Sequence, residues 1–393
     1  MIDRLLMTTL AGVVAGCSAL PPLATASVPL ERQALPNPDA QATVYTNGRW
    51  YTAGPAGPSF VSGERYAVNG IFVATRPVDA TIVDLGGAYV VPPFGEAHNH
   101  NLDGPWTAER GKSYLRRGVF YMKNTNSVVS VDRWAAKAWE SVDTVDIATL
   151  EAKWPDVLAT DPDLIKLYLM DVEDEFPGAS PGLPQDVFNR AVELAQAADL
   201  PVTVHVDTAR DWLIAMRAGA NEAAHMPPQF VRSEETADRF VITQAMAQEA
   251  AARGFTTVTT TLIARNYLEE GDEQLALIRE VQAGNIARLV AAGAPVVFGS
   301  DQYDKDGLAE AAYVLGLGVL TDAEVLRLAV ETAPRSIFPR RAIGTLAPGY
   351  EASFVALECD PAADFAACTQ DPRLLVKQGR DLMSVVSEPP AQE

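Results

Sequence analysis

From residue 93 to about 340 the chain alternates short apolar runs with amphipathic stretches, and this rhythm restricts the fold more than any other feature. The runs VVPPFGEA, VFYMKNT, LIKLYL, PVTVHV, EAAHM, FTTVTTTL and PVVFGSD read as strands, being short, rich in β-branched or aromatic residues and bounded by Gly or Pro. Between them PQDVFNRAVELAQAAD, AMAQEAAARG and EEGDEQLALIREVQAGNIARLVAAG carry helical spacing. An eighth strand is expected in DTVDIATL. Such alternation implies an α/β protein of parallel strands joined by crossover helices, and about 250 residues is the length of a (β/α)8 TIM barrel. A doubly wound open sheet would share the rhythm, but no Gly-rich dinucleotide fingerprint follows the first strand.

The flanks read differently. From Thr43 to about Val91 the segments are short and β-like, and the Asn-Gly pairs Asn47-Gly48 and Asn69-Gly70 predict turns. EASFVALE and RLLVKQGRDL bring the same rhythm back near the C-terminus, so the two flanks are expected to pair into one small composite β-sandwich. The expected organisation is a signal peptide over 1–17, a tether over 18–42, the first part of the sandwich over 43–92, the barrel over 93–341, and the rest of the sandwich with a tail over 342–393.

MIDRLLMTTLAGVVAGC opens with Arg4 and an apolar stretch from Leu5 to Gly16, too short for a membrane span of roughly 20 residues but suited to a signal peptide. Val14-Ala15-Gly16-Cys17 resembles the bacterial lipoprotein processing box, which makes Cys17 the lipidated residue. Ser18 stands where an inner-membrane retention signal would have Asp, so the expectation is an exported protein, lipid-anchored at the periplasmic face of the outer membrane. The Pro- and Ala-rich segment 18–42 suits a tether. Cys359 and Cys368 read either as a disulfide across a short loop or as two unpaired thiols. Three cysteines cannot build a Cys-rich zinc module. A net charge of −20 repels phosphate backbones, so nucleic acid is excluded as a partner. Contact with a membrane is expected only through the N-terminal lipid.

All four histidines lie where predicted parallel strands end. His98 and His100 follow VVPPFGEA and, two residues apart, point to one side of an extended chain. His205 closes PVTVHV, His225 closes EAAHM, and Asp301 closes PVVFGSD. In a barrel those ends form the catalytic face, so five metal-competent side chains converge there. Lys166 sits inside the apolar strand LIKLYL. A buried amine is costly unless paired or neutral. It is either an inward lysine held by a carboxylate, an edge-strand lysine, or a neutral amine able to add CO2 and become a carbamate ligand. Lys123 and Arg265, near other strand ends, are candidates to hold a substrate carboxylate.

These motifs together resemble the metal-dependent amidohydrolase superfamily, in particular its imidazolonepropionase-like and prolidase-like branch. The resemblance rests on VVPPFGEAHNH, LRRGV, Lys166, His205, His225, GSD ending at Asp301, and ETAPRSIFPRRAIGTLAPGYEASFVALECDP, and runs from about residue 43 to 380. The chain departs from the family's pattern at Pro92-Pro93-Phe94-Gly95, at Glu96 where Asp is common, and at Ala352-Ser353 after the Pro348-Gly349 turn. None of these removes a ligand. The resemblance implies two divalent metal ions, Zn2+ by the chemistry of the donors. His98, His100 and Asp301 would hold one, His205 and His225 the other, and carboxylated Lys166 would bridge them. It further implies a bridging hydroxide as nucleophile, with Asp301 as general base and acid. The expected activity is cleavage of a non-polymeric amide C–N bond in a small-molecule substrate such as a dipeptide, N-acyl amino acid or cyclic amide. The alternatives are a mononuclear deaminase of the same fold, against which Lys166 weighs, and a non-catalytic ligand-binding lipoprotein. A homo-oligomer is compatible with either.

Overall fold

Two stretches more than 250 residues apart in sequence share one sheet. In the computed structural model, which describes residues 32–54, 57–100, 107–125, 146–170, 182–231, 236–266, 268–269 and 271–387, β1 (Thr43–Gly54) pairs antiparallel with β2 (Gly57–Val68), and β2 with β3 (Ile71–Val73). β4 (Thr81–Asp84) and β5 (Tyr89–Val91) both run parallel to β1.

After β5 come β6 (Phe94–Asn99), α1 (Thr107–Arg116), β7 (Val119–Asn124), α2 (Ile147–Ala159), β8 (Ile165–Leu169), α3 (Gln185–Ala197) and β9 (Val202–Val206). There follow α4 (Ala209–Ala218), β10 (Glu222–Ala223), α5 (Gln244–Arg253), β11 (Thr256–Val258), α6 (Glu273–Ala292), β12 (Val296–Val297) and α7 (Gly307–Gly316). The chain then returns to the first sheet through β13 (Phe354–Leu357), antiparallel to β5, and adds β14 (Leu374–Lys377) and β15 (Arg380–Asp381). The flanks therefore form a single hydrogen-bonded sheet of eight strands. A disulfide joins Cys359 to Cys368 in the loop between β13 and β14.

Aromatic packing ties the late strands to the early ones. Phe354 is fully buried and meets the ring of Tyr45 at 4.9 Å and that of Trp50 at 5.5 Å, edge to face. Phe354→Ala removes this contact from a filled core, and the expected cost is about 3–5 kcal/mol. A denaturation midpoint equal to that of wild type would mean that β13 docks without carrying stability.

The two Asn-Gly pairs have different fates. Asn69 and Gly70 both have positive φ and form a two-residue link between β2 and β3, as expected. Asn47-Gly48 is not a turn. It is a bulge inside β1, with a register shift against β2 between Tyr45 and Gly48. The bulge falls where β1 passes from β4 to β5, and a Cβ on Gly48 would meet Trp50 Nε1 at 2.8 Å. Residues 32–42 also differ from the tether expected over 18–42. Gln33 bridges to Arg341 and Asn37 donates its backbone N–H to Asn69, so this stretch is part of the folded unit.

The middle of the chain alternates strand and helix in parallel order. β8 to β12 form a five-stranded parallel sheet in sequence order, and β6 and β7 form a parallel pair. Backbone hydrogen bonds join β6 to the segment leaving β12, from Ala97 N to Phe298 O and from Asp301 N to His98 O. Among the described residues no strand pairing joins β7 to β8, and seven barrel-type strands are present. The eighth strand expected in DTVDIATL is a correction: Ile147 onward is helix α2, with Asp146 capping it by accepting from Thr149 N. Leu150 and Trp154 then fall one turn apart on its buried side, which is helical periodicity. Residues 1–31, with Cys17 and the expected signal peptide, lie outside the described residues. Among those described, no helix is long and apolar enough to cross a membrane.

Candidate metal centre

Strand register assembles the centre. β8 is buried at alternate residues, Ile165, Leu167 and Leu169, which turns Lys166 and Tyr168 to its other face. Lys166 stands in register with Thr203 and Tyr168 with His205, while Thr203 is in register with Glu222. Lys166, Thr203 and Glu222 thus make one layer, with Tyr168 and His205 in the layer nearer the strands' C-terminal ends. His98 is fully buried at the end of β6, and His225 follows β10.

Asp301 closes the group. Its Oδ1 lies 3.1 Å from His100 Nε2 and 3.6 Å from His98 Nε2, and its Oδ2 lies 3.7 Å from His225 Nδ1. The ligand atoms of His98, His100 and Asp301 all lie within 4.8 Å of one another. The His225 ring is 4.8 Å from that of His98 and 4.4 Å from that of His205. Asp301 adopts φ of 48°, a left-handed backbone that Asp tolerates better than most residues. Gly299 permits this approach, since a Cβ there would lie 2.7 Å from His98 Cβ. Glu96, fully buried, accepts from Ser300 N at 2.8 Å and His98 N at 3.2 Å, tying the His98 strand to the Asp301 loop.

The electrostatics favour neutral donors. Burial, and after it nearby Lys166, holds the His98 imidazole well below the usual histidine range. Burial, then His205 and His98, does the same to His225. Both rings therefore keep a lone pair for a cation at neutral pH. Burial pushes the Lys166 amine from 10.5 down to about 7, against the opposing pull of Asp301 and Glu222. Its Nζ is sealed from solvent and has no hydrogen-bond partner among the described residues. A buried amine without a hydrogen-bond partner beside neutral His98 and His225 and a carboxylate is an environment suited to a cation. Among the described residues, His98, His100 and Asp301 stand close enough to hold one divalent ion, and their nitrogen and oxygen donors fit it.

Several supporting residues carry no signal in the sequence. Thr260, itself at φ of 45°, places Oγ1 2.9 Å from His225 Nδ1, and Gln229 Nε2 is 2.7 Å from the same atom. Buried Glu310 on α7 accepts from Thr261 N at 2.7 Å and Leu262 N at 2.8 Å, holding the loop that carries Thr260. Thr125 Oγ1 lies 3.3 Å from His98 Nε2. A threonine or glutamine after a strand is too common for spacing to mark it. Lys123 is a correction: it donates to both oxygens of buried Glu222, at 2.8 and 2.7 Å, and is committed to that pair rather than to a substrate carboxylate.

The α/β scaffold sets histidines and an aspartate at the strand ends, one layer above Lys166, a donor set suited to a metal-dependent hydrolase. The amidohydrolase family model matches residues 176–380, just over half of the chain. The chain belongs to the amidohydrolase family and is a hydrolase acting on carbon–nitrogen bonds. Its fold is of the α/β, TIM-barrel type. Among solved structures it is similar to molinate hydrolase, with a TM-score of 0.69 at 14% identity over 90% of this chain and 98% of that one. It is also similar to A. niger ochratoxinase, with a TM-score of 0.66 at 15% identity over 87% and 96%. A prolidase complexed with N-methylphosphonate-L-proline matches with a TM-score of 0.63 at 16% identity over 86% and 99%. No curated protein matches by sequence.

Proposed function

We propose that this chain is a two-metal amidohydrolase that cleaves the amide C–N bond of a small substrate: a dipeptide, an N-acyl amino acid or a cyclic amide. The observation that carries the reading is the sealed, unpartnered Lys166 amine among His98, His225 and Asp301. Lys123 by contrast is paired with a carboxylate, Glu222, while buried Lys377, also without a hydrogen-bond partner, lies over the rings of Phe120 and Tyr121. Prolidase and Xaa-Pro dipeptidase among the similar structures support the substrate class.

In this reading His98, His100 and Asp301 would hold one Zn2+ ion and His205 and His225 the other, with Lys166 as a carbamate supplying a further anionic ligand. Bound there, the cations supply an acidified water and polarise the scissile carbonyl. The protein's own part is positional and protonic. The His98 and His225 imidazoles, held neutral by burial, would meet the ions without competing for protons. Asp301, within 3.1–3.7 Å of three histidines, takes the proton of the attacking water and returns it to the leaving nitrogen. Cys17 would tether the enzyme by lipid to the periplasmic face of the outer membrane, a placement supported by the Val14-Ala15-Gly16-Cys17 box.

The test is a metal count by plasma mass spectrometry on protein purified without chelator, followed by a screen of dipeptides, N-acyl amino acids and cyclic amides. About two equivalents and turnover in one of these classes are expected. One tightly held ion with activity on an aminated ring would favour the deaminase, and a chain that binds no metal even with zinc and bicarbonate would overturn the enzyme mechanism.

A further inference from the structure

His205 and Asp207 stand two residues apart where β9 ends. His205 Nε2 lies 3.1 Å from Asp207 Oδ1. An ionised carboxylate only accepts, so in the neutral ring the hydrogen of this bond sits on Nε2 and the lone pair is left on Nδ1. Two further contacts fix the ring's plane. Tyr168, in register with His205 across the β8–β9 pair, stacks on it with centroids 5.3 Å apart and planes at 29°. His225 packs edge-on at 4.4 Å and 73°. Neither contact distinguishes the two nitrogens, because a 180° flip of the ring preserves both. Asp207 does distinguish them. Its own position is held from both sides, by β9 before it and by Thr208 after it. Thr208 forms a capping box with Asp211, its N and Oγ1 donating to Asp211 Oδ2 at 3.1 and 2.9 Å.

We propose that Asp207 is a positioning residue of the metal centre, holding His205 in its Nε2–H form so that Nδ1 is the atom presented to the cation. The inference rests on the reading of His205 as a ligand of the second metal ion. A carboxylate behind a ligating imidazole fixes tautomer and orientation, and losing such a partner weakens metal affinity about 10- to 100-fold.

The full chain has four histidines, so labelling with 15N-histidine and assigning His205 through the signal lost in His205→Gln resolves its tautomer in metal-free protein. Wild type is expected to show Nε2–H. Asp207→Ala is expected to show a mixture, and Asp207→Asn to keep Nε2–H because its amide oxygen still accepts. Both side chains are partly exposed, 21% for His205 and 30% for Asp207, so the alanine variant leaves no buried orphan and is expected to fold. Competition of Zn2+ against a chromophoric chelator supplies the second readout. In Asp207→Ala one of two zinc equivalents should weaken about 10- to 100-fold while the other is unchanged, with Asp207→Asn close to wild type. An Nδ1–H form in wild type, or a tautomer indifferent to Asp207→Ala, overturns the proposal whatever the zinc result. A wild-type protein that binds fewer than two zinc ions overturns the two-metal reading instead, and the metal-free tautomer measurement still decides what Asp207 does to the ring.

Discussion

Lys166→Ala loses metal and turnover together. In the proposed two-metal reading the variant would lack the carbamate ligand, so metal content is expected to fall below two equivalents. Turnover should drop at least about a thousandfold, since polarisation by a metal ion is worth several kcal/mol in the transition state. Small carboxylic acids such as acetate should restore part of both by occupying the space of the missing side chain. Full activity in the variant would falsify the carbamate assignment. The pH dependence has a defined sign. Only the neutral amine adds CO2, and with Lys166 at about 7 reconstitution with zinc and bicarbonate should be poor at pH 6 and rise as the pH passes 7. Stability of the metal-free protein runs the same way. The unfolded chain, with an ordinary lysine, binds the extra proton between about 7 and 10.5, so stability rises with pH across that window. Lys377, buried against the ring of Tyr121 and also pushed down to about 7, adds the same slope. The difference between wild type and Lys166→Met isolates the contribution of Lys166.

Asp301→Asn should separate binding from chemistry. Asn shares with Asp a tolerance for the left-handed backbone found at this position, so the loop and its bond from Asp301 N to His98 O should survive. The amide cannot carry the proton from water to the leaving nitrogen. The expected result is a kcat lower by about 10²–10⁴-fold with KM little changed. A kcat within tenfold of wild type would assign the proton to another group, and a KM that rises while kcat holds would make Asp301 a substrate-binding residue.

Much of the site is legible in the amino-acid sequence. A lysine between Ile165 and Leu167 in an apolar strand is a local anomaly, visible because burying an ammonium is expensive. Histidines that close predicted strands are visible because the βα alternation says which ends face the same way. What stays hidden depends on partners far away along the chain. Lys123 reads as a free cation, yet Glu222, 99 residues on, stands 2.7 Å from it. Thr260 and Asp207 acquire meaning only from the imidazole nitrogens they touch. At Asn47-Gly48 the same dipeptide that turns the chain at Asn69-Gly70 makes a bulge, at the point where β1 leaves β4, paired with Thr43–Thr46, and takes up β5, paired with Arg49 and Trp50. DTVDIATL misleads for a related reason. Alternation over so few residues fits a strand, while Asp146 as a cap and the turn-spaced Leu150 and Trp154 decide for helix.

By itself, then, the sequence determined the alternation of parallel strands with helices, the set of metal-competent side chains, and the separation of a β-rich flank from the middle of the chain. These follow from periodicity and from the cost of burying charge, which act within a few residues. Only the tertiary structure decided that the flanks, expected to pair, do so as a single eight-stranded sheet, that Asp301 reaches three histidines, and which nitrogen of His205 faces Asp207. Those outcomes depend on contacts that close loops of up to about 300 residues. Chain entropy makes such contacts uninformative locally, and only the packed core fixes them.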